Sequence, residues 1–77
     1  MVSKIIKLVL DYYEAMYGYC PTEQKVAEEI EGWLYQIEVM GFYLDPHIVA
    51  ACVIHYGKPC LITYTEMEHL KEQYFHI

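Results

Sequence analysis

The sequence predicts a small all-α domain of four helices. Two long segments carry apolar residues at helical spacing, and residues that start or stop helices separate the segments along the chain. The length of 77 residues suits one domain. We therefore expect residues 1–77 to form a single helical domain.

The first predicted helix spans Ser3–Tyr17. Its polar residues share one narrow stripe, which consists of Ser3, Lys4, Lys7, Asp11 and Glu14. Apolar residues cover the remaining arc of roughly 220°, whereas a one-sided surface helix needs only about 100°. This helix should therefore lie centrally or contact other elements on both of its flanks.

The second predicted helix spans Thr22–Met40. Thr22 is a favourable N-cap, Glu23 suits the first turn, and Gly41 is a C-terminal stop. One apolar stripe runs along the segment and consists of Val26, Ala27, Ile30, Trp33, Leu34, Ile37 and Met40. This stripe predicts the side of the helix that faces the core.

The third segment has two possible structures. Asp45 followed by Pro46 is typical of a helix start, and Gly57 is typical of a helix stop, so a buried helix fits residues 46–56. The β-branched content instead fits a hairpin over residues 52–64, with strands at 52–56 and 60–64 around Gly57-Lys58-Pro59. The capping residues at both ends favour the helix, and the hairpin, which would give an α+β fold, remains the alternative.

The fourth predicted helix is short. Thr65-Glu66-Met67-Glu68 matches a capping box and would open a helix that runs to about Phe75. Met67, Leu70 and Tyr74 form its narrow apolar face.

Apolar residues make up 56% of the chain, and nine of them are Tyr. Ordinary domains reach about 45–50% with Gly included. The surplus calls for either a tyrosine-rich core or an association surface. Because the first helix has too wide an apolar arc and the third has no polar face, we predict a homodimer that buries part of both.

The net charge of −6 comes from eleven acids and five Lys, and the chain contains no Arg. Between Asp11 and Asp45 eight acids accompany a single Lys, which gives that stretch a net charge of −7. Direct nucleic-acid binding normally needs a basic surface and often Arg. The charge therefore predicts a basic protein partner and no direct contact with nucleic acid.

Three Cys do not form an even-numbered disulfide framework, so reduced thiols and a cytoplasmic location are the simplest expectation. The apolar run Ile5–Leu10 is interrupted by Lys7 and is too short to span a bilayer. It also lacks a cleavage site of small residues. We expect no membrane association.

Cys52 and His55 lie three residues apart, with His47 one turn earlier and Cys60 just beyond. A zinc site would need four ligands, and no second paired motif is present. A Cys–His nucleophile pair would need an electropositive, exposed setting, whereas the neighbours of Cys52 are apolar. The chain also has no phosphate-binding loop, and its one serine is Ser3. We expect no catalytic, cofactor or metal site, and we predict that Cys52 is a buried, slowly reacting thiol.

The junction of the first two helices carries a local resemblance. The turn reads Gly18-Tyr19-Cys20-Pro21-Thr22, and the helix that follows contains Val26-Ala27-Glu28-Glu29-Ile30. This stretch of about a dozen residues resembles the start of winged-helix DNA-binding domains of the LexA repressor family. The resemblance implies a degenerate winged-helix transcription regulator, although a basic recognition helix does not follow Ile30.

The outer face of the second helix is the candidate binding site. Its residues recur at spacings of 4, 3, 4 and 3, and they are Gln24, Glu28, Glu31, Tyr35 and Glu38. We call this set the acidic stripe. Charged stripes are the ordinary solvated side of amphipathic helices. The alternative is a docking surface, since carboxylates attract basic partners and Tyr is enriched at binding hot spots.

These observations favour a non-enzymatic interaction module over an enzyme. We expect a small acidic protein that modulates or inhibits a basic host protein, with nucleic-acid-handling proteins among the candidate hosts. Small size, acidity and tyrosine richness are typical of modulators from phages and mobile elements.

Overall fold

The computed structural model describes all 77 residues and contains four helices and no β-strand. The helices are α1 (Val2–Tyr17), α2 (Glu23–Met40), α3 (Pro46–Tyr56) and α4 (Tyr64–Phe75). This confirms the predicted all-α fold. The alternative hairpin over residues 52–64 is wrong, because residues 52–56 continue α3 and residues 57–63 form an irregular connection.

The predicted caps define both ends of α2 and α3. The Thr22 hydroxyl accepts a hydrogen bond from the Lys25 amide at 3.4 Å, and the Asp45 carboxylate accepts one from the His47 amide at 2.9 Å. Gly41 and Gly57 close the helices with positive φ angles of 75°. Such angles are readily adopted by glycine, so each stop signal has a conformational cause.

The start of α4 differs from the prediction. Thr63, and not Thr65, is the N-cap, because its hydroxyl accepts a hydrogen bond from the Glu66 amide at 3.1 Å. The helix therefore begins at Tyr64, and Thr65 lies within its first turn. Since Thr63 and Glu66 also have capping-box spacing, the correct signal was present two residues upstream.

Helix α3 is the centre of the domain. It packs against α1, α2 and α4, and α1 also packs against α2. Six consecutive residues, Ile48–Val53, are buried, as predicted for a helix without a polar face. The core contains no buried polar side chain and consists of Ile5, Val9, Val26, Ile30, Trp33, Ile37, Ile48–Val53, Met67 and Leu70.

Helix α1 contacts both α2 and α3, which explains most of its wide apolar arc. Ile5 and Val9 are fully buried, whereas the last turn of α1 is exposed. There the rings of Tyr13, Tyr17 and Tyr19 lie 5.6–6.3 Å from one another. The tyrosines thus contribute both to packing and to an aromatic surface.

The connection between α3 and α4 is fixed along α2. The Trp33 indole donates a hydrogen bond to the Gly57 carbonyl at 2.8 Å, and the Gln36 amide donates one to the Cys60 carbonyl at 2.6 Å. Between these bonds Pro59 lies so close to Gly32 that a Cβ atom there would be 2.6 Å from the Pro59 ring. Glycine at position 32 is what permits this close approach.

Candidate protein-interaction face

The acidic stripe lies on the side of α2 that faces away from the core. All five of its residues are exposed, and Tyr35 has 72% of its surface accessible. Trp33 and Ile37 occupy the opposite, buried side. The structure therefore brings together every residue that the sequence assigned to this face.

The carboxylates of the stripe have no cationic partner within the chain. The three ion pairs of the molecule use Asp11 or Asp45 as their acid. Lys25, the one base of α2, forms no ion pair with the stripe, but it lines a shallow cleft together with Glu28 and Lys58. Glu28, Glu31 and Glu38 thus form no ion pair within the chain, and in this sense their negative charge is uncompensated.

An apolar groove runs beside the acidic stripe. One wall belongs to α2 and the other to the connection that Trp33 and Gln36 fix in place. The groove has a volume of about 440 Å³, its accessible surface is almost wholly apolar, and it is lined by Gly32, Tyr35, Gln36, Val39, Met40, Pro59 and Leu61. We call it the α2 groove. Tyr35 belongs both to the groove and to the acidic stripe.

Sequence reasoning missed this groove. Met40 was assigned to the buried apolar stripe, but it is exposed and lines the groove at the end of α2. Val39 lies outside that stripe and is 67% exposed, and Leu61 is 94% exposed. The available signals were Val39 and Leu61 outside the helical stripe and Gly32 inside a helix, where glycine lowers helix stability and so suggests a packing reason.

The largest cleft, about 500 Å³, lies at another place, between the end of α1, the start of α2 and the end of α3. Its ionisable lining residues carry both signs of charge and are Tyr13, Lys25, Glu29, His55, Tyr56 and Lys58. Every buried side-chain nitrogen and oxygen in the protein has a hydrogen-bond partner. The cleft therefore shows no polar atom that awaits a particular ligand.

Of the cysteine and histidine motif, only Cys52 belongs to the core, and His55 is exposed. Cys52 is fully buried, as predicted, and desolvation, with a smaller contribution from Cys60, raises its pKa to about 12. His55 instead pairs with the Tyr74 hydroxyl, 2.7 Å from its Nδ1 atom. No three His, Cys, Asp or Glu side chains lie in an arrangement that could hold a metal ion. All three thiols are free.

The region of the winged-helix resemblance forms only part of that pattern. Residues 18–22 make the turn between α1 and α2, as the resemblance implies. Beyond Ile30, however, α2 continues without a break to Met40, and the helix that follows it is α3, which is buried. The structure also contains no strands from which a wing could be built.

The fold and this face define a class: a small acidic four-helix domain with an apolar groove beside an uncompensated row of carboxylates. No helix in it combines the length and the apolar character needed to cross a bilayer. No protein family, curated protein or solved structure matches this chain.

Proposed function

We propose that this protein is a non-enzymatic interaction module of the cytoplasm that binds a basic protein partner through the acidic stripe. In this proposal it modulates or inhibits that partner, as small acidic modulators from phages and mobile elements do. We further propose that the partner is a protein that handles nucleic acid. The module itself contacts no nucleic acid. It uses no cofactor.

The observation that carries the proposal is the exposed, uncompensated row of carboxylates around Tyr35. Glu28 and Glu31 are three residues apart on one helix face, and like charges at that spacing repel by a few tenths of a kcal/mol. A partner that supplies Lys or Arg would remove this repulsion and gain the steering effect of opposite charges. An exposed tyrosine between Glu31 and Glu38 supplies the aromatic anchor typical of binding hot spots.

The proposal is tested with charge-reversed variants. A pull-down at low and at moderate salt identifies the partner, and its binding kinetics are then measured with wild type and with Glu31→Lys/Glu38→Lys. We expect weaker binding, mainly through slower association, because charges at an interface rim act on the on-rate. The matched control is Glu68→Lys/Glu72→Lys, which changes the net charge equally at exposed sites of α4. Equal losses in both variants would mean that only the total charge matters.

A second pair of variants tests the aromatic anchor. Tyr35→Ala should raise the off-rate and weaken binding by about 2 kcal/mol, the usual threshold for a hot spot. Tyr43→Ala is the control, since Tyr43 is similarly exposed but lies beyond the end of α2. Circular dichroism verifies that all variants are folded. If both Tyr35→Ala and Glu31→Lys/Glu38→Lys bind with wild-type affinity, this face takes no part in binding and is an ordinary solvent-exposed surface.

Self-association remains a separate prediction. The sequence suggested a homodimer because α1 has a wide apolar arc and α3 has no polar face. The second reason no longer applies, because α1, α2 and α4 cover α3 within one chain. The exposed end of α1 and the turn after it, with Met16, Tyr17 and Tyr19, are the surface left for a homodimer. Sedimentation at high micromolar concentration should show a dimer, and a strictly monomeric protein would contradict this.

A further inference from the structure

We propose that the α2 groove receives the apolar face of a basic amphipathic helix of the partner protein. The inference rests on the proposed function and specifies the kind of partner segment that the face binds. It assigns the apolar contacts to the groove and the charged contacts to the acidic stripe. Tyr35, which borders both, lies at the centre of the combined surface.

The groove is formed by contacts within the fold itself. Its second wall is fixed by the hydrogen bonds from Trp33 to the Gly57 carbonyl and from Gln36 to the Cys60 carbonyl. Cys60 and Ile62 pack against the core, so Leu61 between them is directed to solvent. The exposure of Leu61 therefore follows from the packing of its neighbours, and the groove exists before any partner binds.

The relative placement of groove and stripe favours a helix as the occupant. With about 3.6 residues per turn, the α2 residues of the groove lie about a quarter of a turn around the axis from the centre of the stripe. A partner helix can present adjacent apolar and basic faces at such an angle. An extended strand would direct alternate side chains to opposite sides. From Glu28 to Glu38 the stripe is about 15 Å long, or about three helical turns.

Charge decides between this occupant and a second copy of the chain. Two copies that met through the α2 groove would bring two acidic stripes close together, and like charges across an interface oppose association. A basic helix meets the same surface with opposite charge. Glu28, Glu31 and Glu38 have no partner within the chain, so all three are free to pair with Lys or Arg.

The test uses two synthetic peptides of identical composition. One is a Leu/Lys peptide of about 18 residues with Leu at i, i+3, i+4 and i+7, which forms one apolar face when helical. The other contains the same residues in an order that spreads Leu around the helix. Binding of each peptide is titrated against the full chain, and backbone and methyl NMR shifts locate the contact. We expect at least tenfold tighter binding of the first peptide, with shifts at Val39, Met40 and Leu61.

Variants then separate the groove from the stripe. Leu61→Ser and Val39→Ser should each weaken binding of the amphipathic peptide about tenfold, since a buried leucine contact contributes on that order. Their effect on the scrambled peptide should be small. Ile77→Ser is the matched control, because Ile77 is an exposed aliphatic residue that follows α4 and does not line the groove. All three sites are exposed, so the variants should fold, which circular dichroism verifies.

The outcomes distinguish the two proposals. Equal binding of both peptides, unaffected by Leu61→Ser, would overturn the groove assignment and leave a basic partner in place. Binding of neither peptide would count against the proposed function itself. Shifts confined to Met16, Tyr17 and Tyr19 would also overturn the groove assignment. A wild-type dimer that Leu61→Ser converts to monomer would show that the occupant is a second copy of the chain.

Discussion

Trp33 and Tyr35 are aromatic residues two positions apart on α2, yet their surroundings are opposite. Trp33 has no accessible surface and donates its indole hydrogen to the Gly57 carbonyl, whereas 72% of Tyr35 is accessible. The difference follows from helical phase, because two residues correspond to about 200° around the axis. The comparison separates the side of α2 that holds the domain together from the side that is free to bind.

Substitutions at these two positions should give the largest difference in stability. Trp33→Ala should lower the free energy of unfolding by about 3–5 kcal/mol, since it leaves a cavity and removes a hydrogen bond. A domain of this length has a total of only about 4–12 kcal/mol, so this substitution should remove a large share of its stability. Tyr35→Ala should change stability by about 0.5 kcal/mol or less. Urea denaturation followed by circular dichroism measures both, and similar losses would contradict the division of α2 into two sides.

The cysteines extend the comparison to chemical reactivity. The pKa of about 12 for Cys52 leaves very little reactive thiolate at neutral pH, and its burial blocks access to reagents. Cys20 is exposed on the turn after α1. In the native protein we expect Cys52 to react with thiol reagents at least a hundredfold more slowly than Cys20. In the protein unfolded by urea the two cysteines should react at similar rates. Mass spectrometry after timed labelling identifies each site, and rapid native labelling of Cys52 would refute its place in the core.

Two ion pairs provide a smaller contrast. Lys71 pairs with Asp45, and Lys7 pairs with Asp11, both at 2.9 Å, but the first pair is mostly shielded and the second is exposed. Asp45 also caps α3. Asp45→Ala should cost about 1 kcal/mol through the lost cap, whereas Lys7→Gln should cause no measurable change. Thermal or urea unfolding measures the stability of both variants. Equal losses of stability in the two variants would contradict this prediction.

Asp45 also predicts a dependence of stability on pH. Desolvation raises its pKa, but hydrogen bonds from the Lys71 side chain and the His47 amide, together with the charges of the Lys71 and His47 side chains, outweigh this and lower the pKa overall. A lowered pKa in the folded state stabilises the protein above the unfolded value of about 3.9. That contribution is lost as the pH falls through the folded pKa. Asp45→Asn, which retains a capping side chain, should therefore lose less stability than wild type between about pH 5 and pH 2 in urea titrations.

The sequence contained most of the information about the helices. Thr22, Asp45, Gly41 and Gly57 are local signals, so they identify helix ends without knowledge of the rest of the chain. The predicted start of α4 was wrong because Thr63 and Thr65 both have the spacing of an N-cap. Thr63 is the N-cap because its backbone is extended, which the sequence alone does not reveal. The acidic stripe was predictable because it follows from periodicity within one helix.

The α2 groove could not be derived in the same way. It forms where residues 59–61 meet α2, about twenty residues away in the sequence, and no periodicity connects the two segments. Its position depends on long-range hydrogen bonds from Trp33 and Gln36 and on the close approach of Pro59 to Gly32. Gly32 could be noticed as unusual in a helix, but the residue that approaches it could not be named.

The central position of α3 has a consequence for the folding kinetics. Three of the four helix–helix interfaces join helices that follow one another in the chain, and only the interface of α1 with α3 skips an element. Contacts between neighbouring segments require little loop closure before they form, and helical domains of this kind fold within microseconds to milliseconds. The chain can therefore reach its native topology soon after synthesis, with the pairing of α1 and α3 as the step of longest sequence separation.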